Sequence, residues 1–243
     1  VLRNLTPNDQ YFVIDGGSSD GSVEVLKRYG DRLTGWVSEK DFGYADAVAK
    51  GFALGESSYQ CWVACGDQLL SGALHLARAI LDESGADMIY GDDFYIDDDD
   101  RVLRISSGQV SSMAEMMLCG DWTPLQDACF WRTEFYKSVG GIDPELRYAA
   151  DYDLFLRMSL SGRCLYTPHL FSAFRRHDGQ TSIKYHDAYV LERSRVKNQA
   201  FGAFRMSVVQ KTLCPYYWLS SRLRARFGFE KKIKSRYLRN GEV

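Results

Sequence analysis

No stretch of this 243-residue chain holds the roughly 18 consecutive apolar residues that a membrane-crossing helix needs. Residues 1 to 10 (VLRNLTPNDQ) lack the apolar stretch and small-residue site of a secretory signal. Both absences argue against a transmembrane or secreted chain. Proline is scarce, at 5 residues, and no repeat or low-complexity linker occurs, which leaves the collagenous and disordered classes aside. The six cysteines (61, 65, 119, 129, 164 and 214) form no paired C-x-x-C sets, so neither a zinc site nor a disulfide framework is indicated. They read as buried thiols in a reducing compartment, and the Asn4-Leu5-Thr6 sequon reads as a chance match. The chain also has little net charge, −2, which argues against a polyanion binder. That average hides an asymmetry: residues 211–243 carry +7, leaving −9 on the first 210. An acidic body with a basic tail that meets something anionic is the expectation.

What is present is an α/β alternation. The apolar run 12–14 ends in D-G-G-S-S-D-G-S (15 to 22), and residues 23–29 then show helical spacing: strand, glycine-rich loop, helix. The unit recurs at 36–38 with a helix over 45–54, and at 61–65 with a helix over 71–83; a further strand opens at 88. Such alternation predicts a mainly parallel sheet covered on both faces, with ligands at the carboxyl ends of the strands. Beyond residue 92 the spacing predicts a hairpin over 94–105 with the acidic tip Asp97–Asp100, a helix over 151–160, strands at 165–166 and 170–176, and a helix over 189–204. The simplest partition is one domain, 1–210, and a basic, aromatic-rich helical tail, 211–243.

The glycine loop is neither a Walker A nor a Rossmann fingerprint, and by itself reads as a turn with Asp20 or Ser22 capping the next helix. Its company decides the matter. In order come V-I-D-G-G-S-S-D-G-S (13 to 22), S-E-K-D-F-G-Y-A-D-A-V-A-K-G-F (38 to 52), W-V-A-C-G-D-Q-L-L-S-G-A-L (62 to 74), Y-G-D (90 to 92), Q-D-A-C-F-W-R (126 to 132), V-G-G-I-D-P-E-L-R-Y-A-A-D-Y-D-L-F-L-R (139 to 157) and F-R-R-H (174 to 177). From about residue 10 to about 180 the chain resembles the family 2 glycosyltransferases, inverting nucleotide-sugar enzymes of the GT-A fold, particularly those that build bacterial surface polysaccharides.

The resemblance implies a fold and a set of roles. The fold is α/β and GT-A-like, and it apparently lacks the first strand and helix, because the family's usual opening strand with T-P-x-Y/F-N has no counterpart before Tyr11. Asp15, with Gly16 and Ser18 of its loop, matches the nucleoside-binding segment. Asp41 and Asp46 match positions lining the nucleotide and sugar pocket, and Gln126, Trp131 and Arg132 a segment shaping the donor and acceptor pocket. Asp67 matches the second aspartate of the family's metal motif, but Ala64 and Gly66 stand where that motif has asparagine and aspartate. His177 is the implied second ligand of Mn²⁺ or Mg²⁺, and Asp151 matches the general base, with an N-cap as its alternative role. The implied partners are a UDP-sugar donor, a saccharide or lipid-linked acceptor, and an anionic membrane surface met through 211–243, with no nucleic acid. The expected location is the cytoplasm, peripheral on the inner face of the plasma membrane. Two other readings stay open: an inactive relative that binds a nucleotide or a partner, and a nucleotidyltransferase-like enzyme. The six carboxylates between Asp92 and Asp100 lack EF-hand spacing and are expected to be a solvated hairpin tip.

Overall fold

The computed structural model describes residues 1–107, 112–119, 122–177 and 179–203. The expected tail, 211–243, lies outside the described residues. In chain order the elements are β1 (Phe12–Asp15), α1 (Ser22–Tyr29), β2 (Gly35–Ser38), α2 (Tyr44–Leu54), β3 (Tyr59–Gln60), β4 (Gln68–Leu69), α3 (Ala73–Ser84), β5 (Met88–Ile96), β6 (Val102–Ser106), α4 (Met113–Cys119), β7 (Cys129–Arg132), α5 (Thr133–Ser138), α6 (Ala150–Ser161), β8 (Cys164–Arg175), α7 (Thr181–Lys184) and α8 (His186–Ala203).

The strands form two sheets. β1 and β2 make a parallel pair, and the larger sheet has the order β3-β7-β5-β8-β4, with β6 also on β5. β5 is the hub. It runs parallel to β8, while one of its edges takes β7 along Met88–Tyr90 and then β6 along Asp93–Ile96, both antiparallel. β3–β7 and β4–β8 are antiparallel too, so the pairing is mixed. Counting strands and helices overstates parallelism here because β7 enters antiparallel between β3 and β5. The third expected strand, 61–65, does not form, and the strand just before it is Tyr59–Gln60; the two expected strands after residue 164 are one continuous β8.

Both faces of the large sheet are covered, as the near-continuous burial of β5 requires. Side chains alternate along a strand. Met88 and Tyr90 of β5, with Cys129 and Trp131 of β7, therefore face α6, while Ile89 and Phe130 face α3 through Ala77 and Leu81. Trp131 is the centre of an aromatic cage: Phe52, Trp62, Tyr136 and Phe155 lie with ring centroids 5.4 to 6.3 Å from it. Burying each such side chain contributes about 1.5–3 kcal/mol, so the cage fixes α2, α5 and α6 against the sheet.

The start of α6 is stabilised from a distance. Its cap position, Ala149, has no side chain able to accept a hydrogen bond. Instead the Glu192 carboxylate of α8 accepts the backbone N–H groups of Arg147 (3.1 Å), Tyr148 (2.6 Å) and Ala149 (2.7 Å). A carboxylate there also favours the positive end of the helix dipole. Glu192→Ala is expected to lower unfolding stability by about 2–3 kcal/mol, since hydrogen bonds to charged groups are the costly ones to lose; denaturant titration checks this.

Cys61, Cys65, Cys129 and Cys164 are free thiols; Cys129 is buried and Cys61 and Cys164 are half-buried, but Cys65 is exposed, so the expectation of buried thiols fails there. Among the described residues no helix is long and apolar enough to cross a membrane.

Candidate active site

Asp15 ends β1 at the carboxyl edge of the small sheet, and its loop turns tightly because Gly17 and Gly21 adopt φ of 84° and 94°, which glycine tolerates. The Asp15 carboxylate accepts from Ser18 Oγ (2.5 Å), Ser38 Oγ (2.7 Å), Ser18 N (2.9 Å) and Gly17 N (3.1 Å). The Ser18 hydroxyl first, then Ser38, lowers its pKa to about 2. Three of the four bonds go to Oδ2, so Oδ1 keeps acceptor capacity for an N–H or hydroxyl. Asp41 closes on this loop: a Cβ added to Gly16 would stand 2.6 Å from Asp41 Oδ2, and Asp41 Oδ1 accepts Gly43 N at 3.0 Å. Asp15, Gly16, Ser18 and Asp41 thus form one cluster. Asp46 is turned elsewhere, accepting Phe42 N (3.1 Å) and pairing with Lys50 (3.1 Å), and Phe42 N–H and then Lys50 hold its carboxyl below the usual range.

Asp67 lies in the turn before β4. Its Oδ1 accepts the backbone N–H of Arg175 (2.9 Å) and its Oδ2 the Gln126 amide (3.2 Å), so two sequence-predicted residues, Asp67 and Gln126, meet. Burial, and then the charge of Asp127, pushes the Asp67 carboxyl up to about 7. Asp127 is 0% exposed, and its carboxyl meets that of Asp93. Burial, then the neighbouring Asp93 charge, raises its pKa well above the carboxylate range, and burial raises that of Asp93 as well. Gly66 has φ of 101°, a conformation that disfavours the aspartate the family motif places there. The Arg175 guanidinium ties the surrounding loops by donating to Gly66 O, Asp97 O and Asp100 Oδ1. It thereby closes the acidic hairpin tip, where Asp97 Oδ1 also accepts the N–H groups of Asp99 and Arg101.

His177 stands two residues beyond Arg175, exposed, with its ring against Gly179. Among the described residues no hydrogen bond or ion pair joins it to Asp67, and no group of three or more His, Cys, Asp or Glu side chains is arranged to hold a metal. A single cation still fits the carboxylates. Asp67 is half-buried, burial and the Asp127 charge penalise its ionised form, and a divalent ion, which needs only one or two protein carboxylates when it sits on a diphosphate, would stabilise that form.

Asp151 is the second residue of α6 and not its cap, which corrects the alternative role. Its Oδ1 accepts Tyr152 N (2.7 Å) and the Tyr44 hydroxyl (3.3 Å), while among the described residues Oδ2 accepts nothing. At the helix start the Tyr44 oxygen takes the Asp151 N–H and Asp151 Oδ1 takes the Tyr152 N–H, which leaves Oδ2 as the oxygen of Asp151 open to a further donor. Burial raises its pKa, partly offset by the Tyr152 N–H and the Tyr44 hydroxyl.

Two predicted pocket residues are placed elsewhere. Trp131 is 0% exposed at the centre of the aromatic cage and cannot touch a ligand. Arg132 is at the far end of β7, opposite the start of β5, donating to Ala86 O (3.0 Å) and Leu81 O (2.6 Å) and lying over the Tyr59 ring. Its segment is architectural because β7 runs antiparallel to β5, carrying Gln126 to the site edge and Arg132 away from it. Sequence reasoning in turn missed Tyr44, Asp127, Arg175 and Glu192. A lone acid, Asp127, beside the apolar A-C-F-W run was the one local signal.

A family model described as Glycosyl transferase family 2 matches residues 1–135. Two curated relatives, the uncharacterized glycosyltransferases Rv1514c of Mycobacterium tuberculosis strain H37Rv and MT1564 of strain CDC 1551, are each 27% identical over 153 residues. That alignment covers 62% of this chain, which spans 57% of their length. Among solved structures, residues 1–349 of S. aureus TarS in complex with UDP-GlcNAc superimpose with TM-score 0.55 at 16% identity, covering 70% of this chain and 50% of that one. The UDP complex of the same protein gives TM-score 0.53 at 14% identity, over 84% and 64% of the two chains. The fold is therefore that of the GT-A glycosyltransferases, a mixed sheet flanked by helices.

Proposed function

This chain belongs to glycosyl transferase family 2, and we propose that it moves a sugar from a UDP-sugar to an acceptor hydroxyl by single displacement, with inversion at the anomeric carbon. The observation that carries this reading is the position of Asp151. It stands within hydrogen-bonding distance of Tyr44, the first residue of the helix that follows the Asp41 loop, with one oxygen anchored and the other free.

Asp15 and Asp41, on facing loops, would grip the nucleoside through its N–H and hydroxyl donors. That TarS was solved with UDP and with UDP-GlcNAc supports a uridine nucleotide as the choice. Asp151 Oδ2 would take the proton of the acceptor hydroxyl as its oxygen bonds to the anomeric carbon. The bond from that carbon to the diphosphate oxygen breaks, and its electron pair leaves with the diphosphate. Asp67 would hold a divalent cation, Mn²⁺ or Mg²⁺, with His177 as a second ligand. When bound, such a cation supplies positive charge to the departing diphosphate. Gln126 and the Arg175 N–H keep the Asp67 carboxylate oriented for that task. The chemistry suits synthesis of a surface polysaccharide or glycolipid.

Calorimetric titration with UDP tests the donor site. Wild type is expected to bind; Asp15→Ala should weaken binding about tenfold or more, the scale of a lost charge-assisted bond. Gly16→Ala should weaken it less, by displacing the Asp41 carboxylate. Equal affinity in all three proteins would place the nucleotide elsewhere.

A further inference from the structure

The Tyr44 hydroxyl is the one side-chain group from another element that hydrogen-bonds Asp151 among the described residues, and its geometry is unusual for a packing tyrosine. The ring packs against the main core cluster. The oxygen accepts the backbone N–H of Asp151 at 3.2 Å, which fixes it at the helix start. Its single proton has two acceptors at nearly equal distance, Asp151 Oδ1 at 3.3 Å and the Tyr148 carbonyl at 3.4 Å. A phenol has one proton to give, so only one of these bonds forms at a time. The charged acceptor wins while the carboxylate is ionised, because charge-assisted bonds are the stronger.

Resting on the glycosyl-transfer reading above, we propose that Tyr44 is the positioning residue of the base Asp151. Its hydroxyl donates to Oδ1 of the ionised carboxylate and turns to the Tyr148 carbonyl once that carboxylate has taken the acceptor's proton. The exchange breaks no covalent bond; one hydrogen bond replaces another. In the ionised state the bond adds to that from Tyr152 N–H and holds Oδ1, so Oδ2 keeps its direction towards the incoming hydroxyl. Once the carboxyl is neutral, release of the bond lets Asp151 keep the proton through bond formation. Tyr44 stays a donor throughout, since burial and then the Asp151 charge raise its own pKa far above the phenol range.

The other groups that face Asp151 do not duplicate this role. Arg193 of α8 acts on it through space and lies over the Tyr152 ring at 4.8 Å. Tyr189 of α8 and the buried Cys129 thiol of β7 feel its charge and have their pKa values raised, burial being the larger cause for both. On its own helix Asp153 is bound to Arg157. The contact also bridges the two halves of the site, since α2 follows the donor-side loop and α6 carries the base. Neither helix pattern reveals it.

The test is a ¹³C titration of protein labelled at aspartate carboxyls, wild type against Tyr44→Phe, with Asp151→Asn assigning the resonance. Phenylalanine retains the ring packing, so the fold is kept. The Asp151 carboxyl is expected to titrate about one pH unit higher in Tyr44→Phe, a tenfold change in proton affinity. With a turned-over UDP-sugar, kcat should fall about tenfold at neutral pH with the donor KM unchanged, and the acid limb of the kcat profile should move up by the same amount. An Asp151 carboxyl that titrates at the same pH in both proteins overturns the proposal, and it does so whether or not turnover is seen. Undiminished turnover in Asp151→Asn would instead overturn the function on which the proposal rests.

Discussion

Asp151→Asn is expected to reduce kcat for sugar transfer by about a thousandfold while leaving UDP affinity within about twofold of wild type, the range associated with loss of a general base. The substitution keeps shape and the Oδ1 bonds to Tyr152 N–H and Tyr44 while removing the proton acceptor. Asp151 is not the cap residue of α6, the Tyr152 N–H it accepts can be accepted by the asparagine amide oxygen as well, and Glu192 holds the turn before the helix through three backbone N–H groups. Thermal stability should therefore change little, which separates a catalytic from a structural loss. Steady-state kinetics, UDP calorimetry and a melting curve on the same preparation check all three parts.

The second large effect concerns pH. Asp67, Asp93 and Asp127 all have folded-state pKa values raised above those of the unfolded chain, chiefly by burial. A raised carboxyl binds its proton more tightly when folded, so its contribution to stability is greatest at low pH and is lost as pH rises from about 4 through the folded value, about 7 for Asp67. Asp15 works the other way, but its pKa of about 2 confines that effect to pH below about 4. In metal-free buffer the melting temperature is thus expected to fall between pH 5 and pH 8. Millimolar Mn²⁺ at pH 8 should restore much of it by stabilising the ionised cluster. Asp127→Asn should flatten this fall, because an amide has no charge to bury as pH rises and can donate to Asp93. A melting temperature that rises from pH 5 to pH 8 would contradict the cluster's assignment.

Much of this was legible in the sequence where chemistry is local. The D-G-G-S loop, the Asp41 loop and the start of α6 sit where strand-to-helix spacing predicts, because glycine tolerance of positive φ and hydrophobic periodicity are written in neighbouring residues. The hairpin over β5 and β6 was legible for the same reason, its tip closed by Asp97. What escaped depends on contacts far apart in sequence. Glu192 reaches back 43 to 45 residues to the start of α6, and Tyr44 reaches forward 107 to Asp151. Trp131 and Arg132 were misread because the direction of β7 decides which end of Q-D-A-C-F-W-R meets the ligand, and strand direction is a property of the sheet. The Asp93–Asp127 pair forms only when β5 and the segment before β7 come together, so two unremarkable aspartates become a buried charge problem. His177 was inferred from the family resemblance, and nothing local in F-R-R-H fixes where its imidazole points.

The central claim, a single-displacement glycosyltransferase with its base at Asp151 and its cation at Asp67, is tested most directly by UDP release from a panel of UDP-sugars with Mn²⁺, wild type beside Asp67→Ala and Asp151→Asn. The account predicts UDP formation by wild type from at least one donor, suppressed by chelation and lost in both variants. UDP binding that needs no metal, with no turnover of any donor in the presence of a saccharide acceptor, would contradict it and leave a nucleotide-binding protein without transferase chemistry.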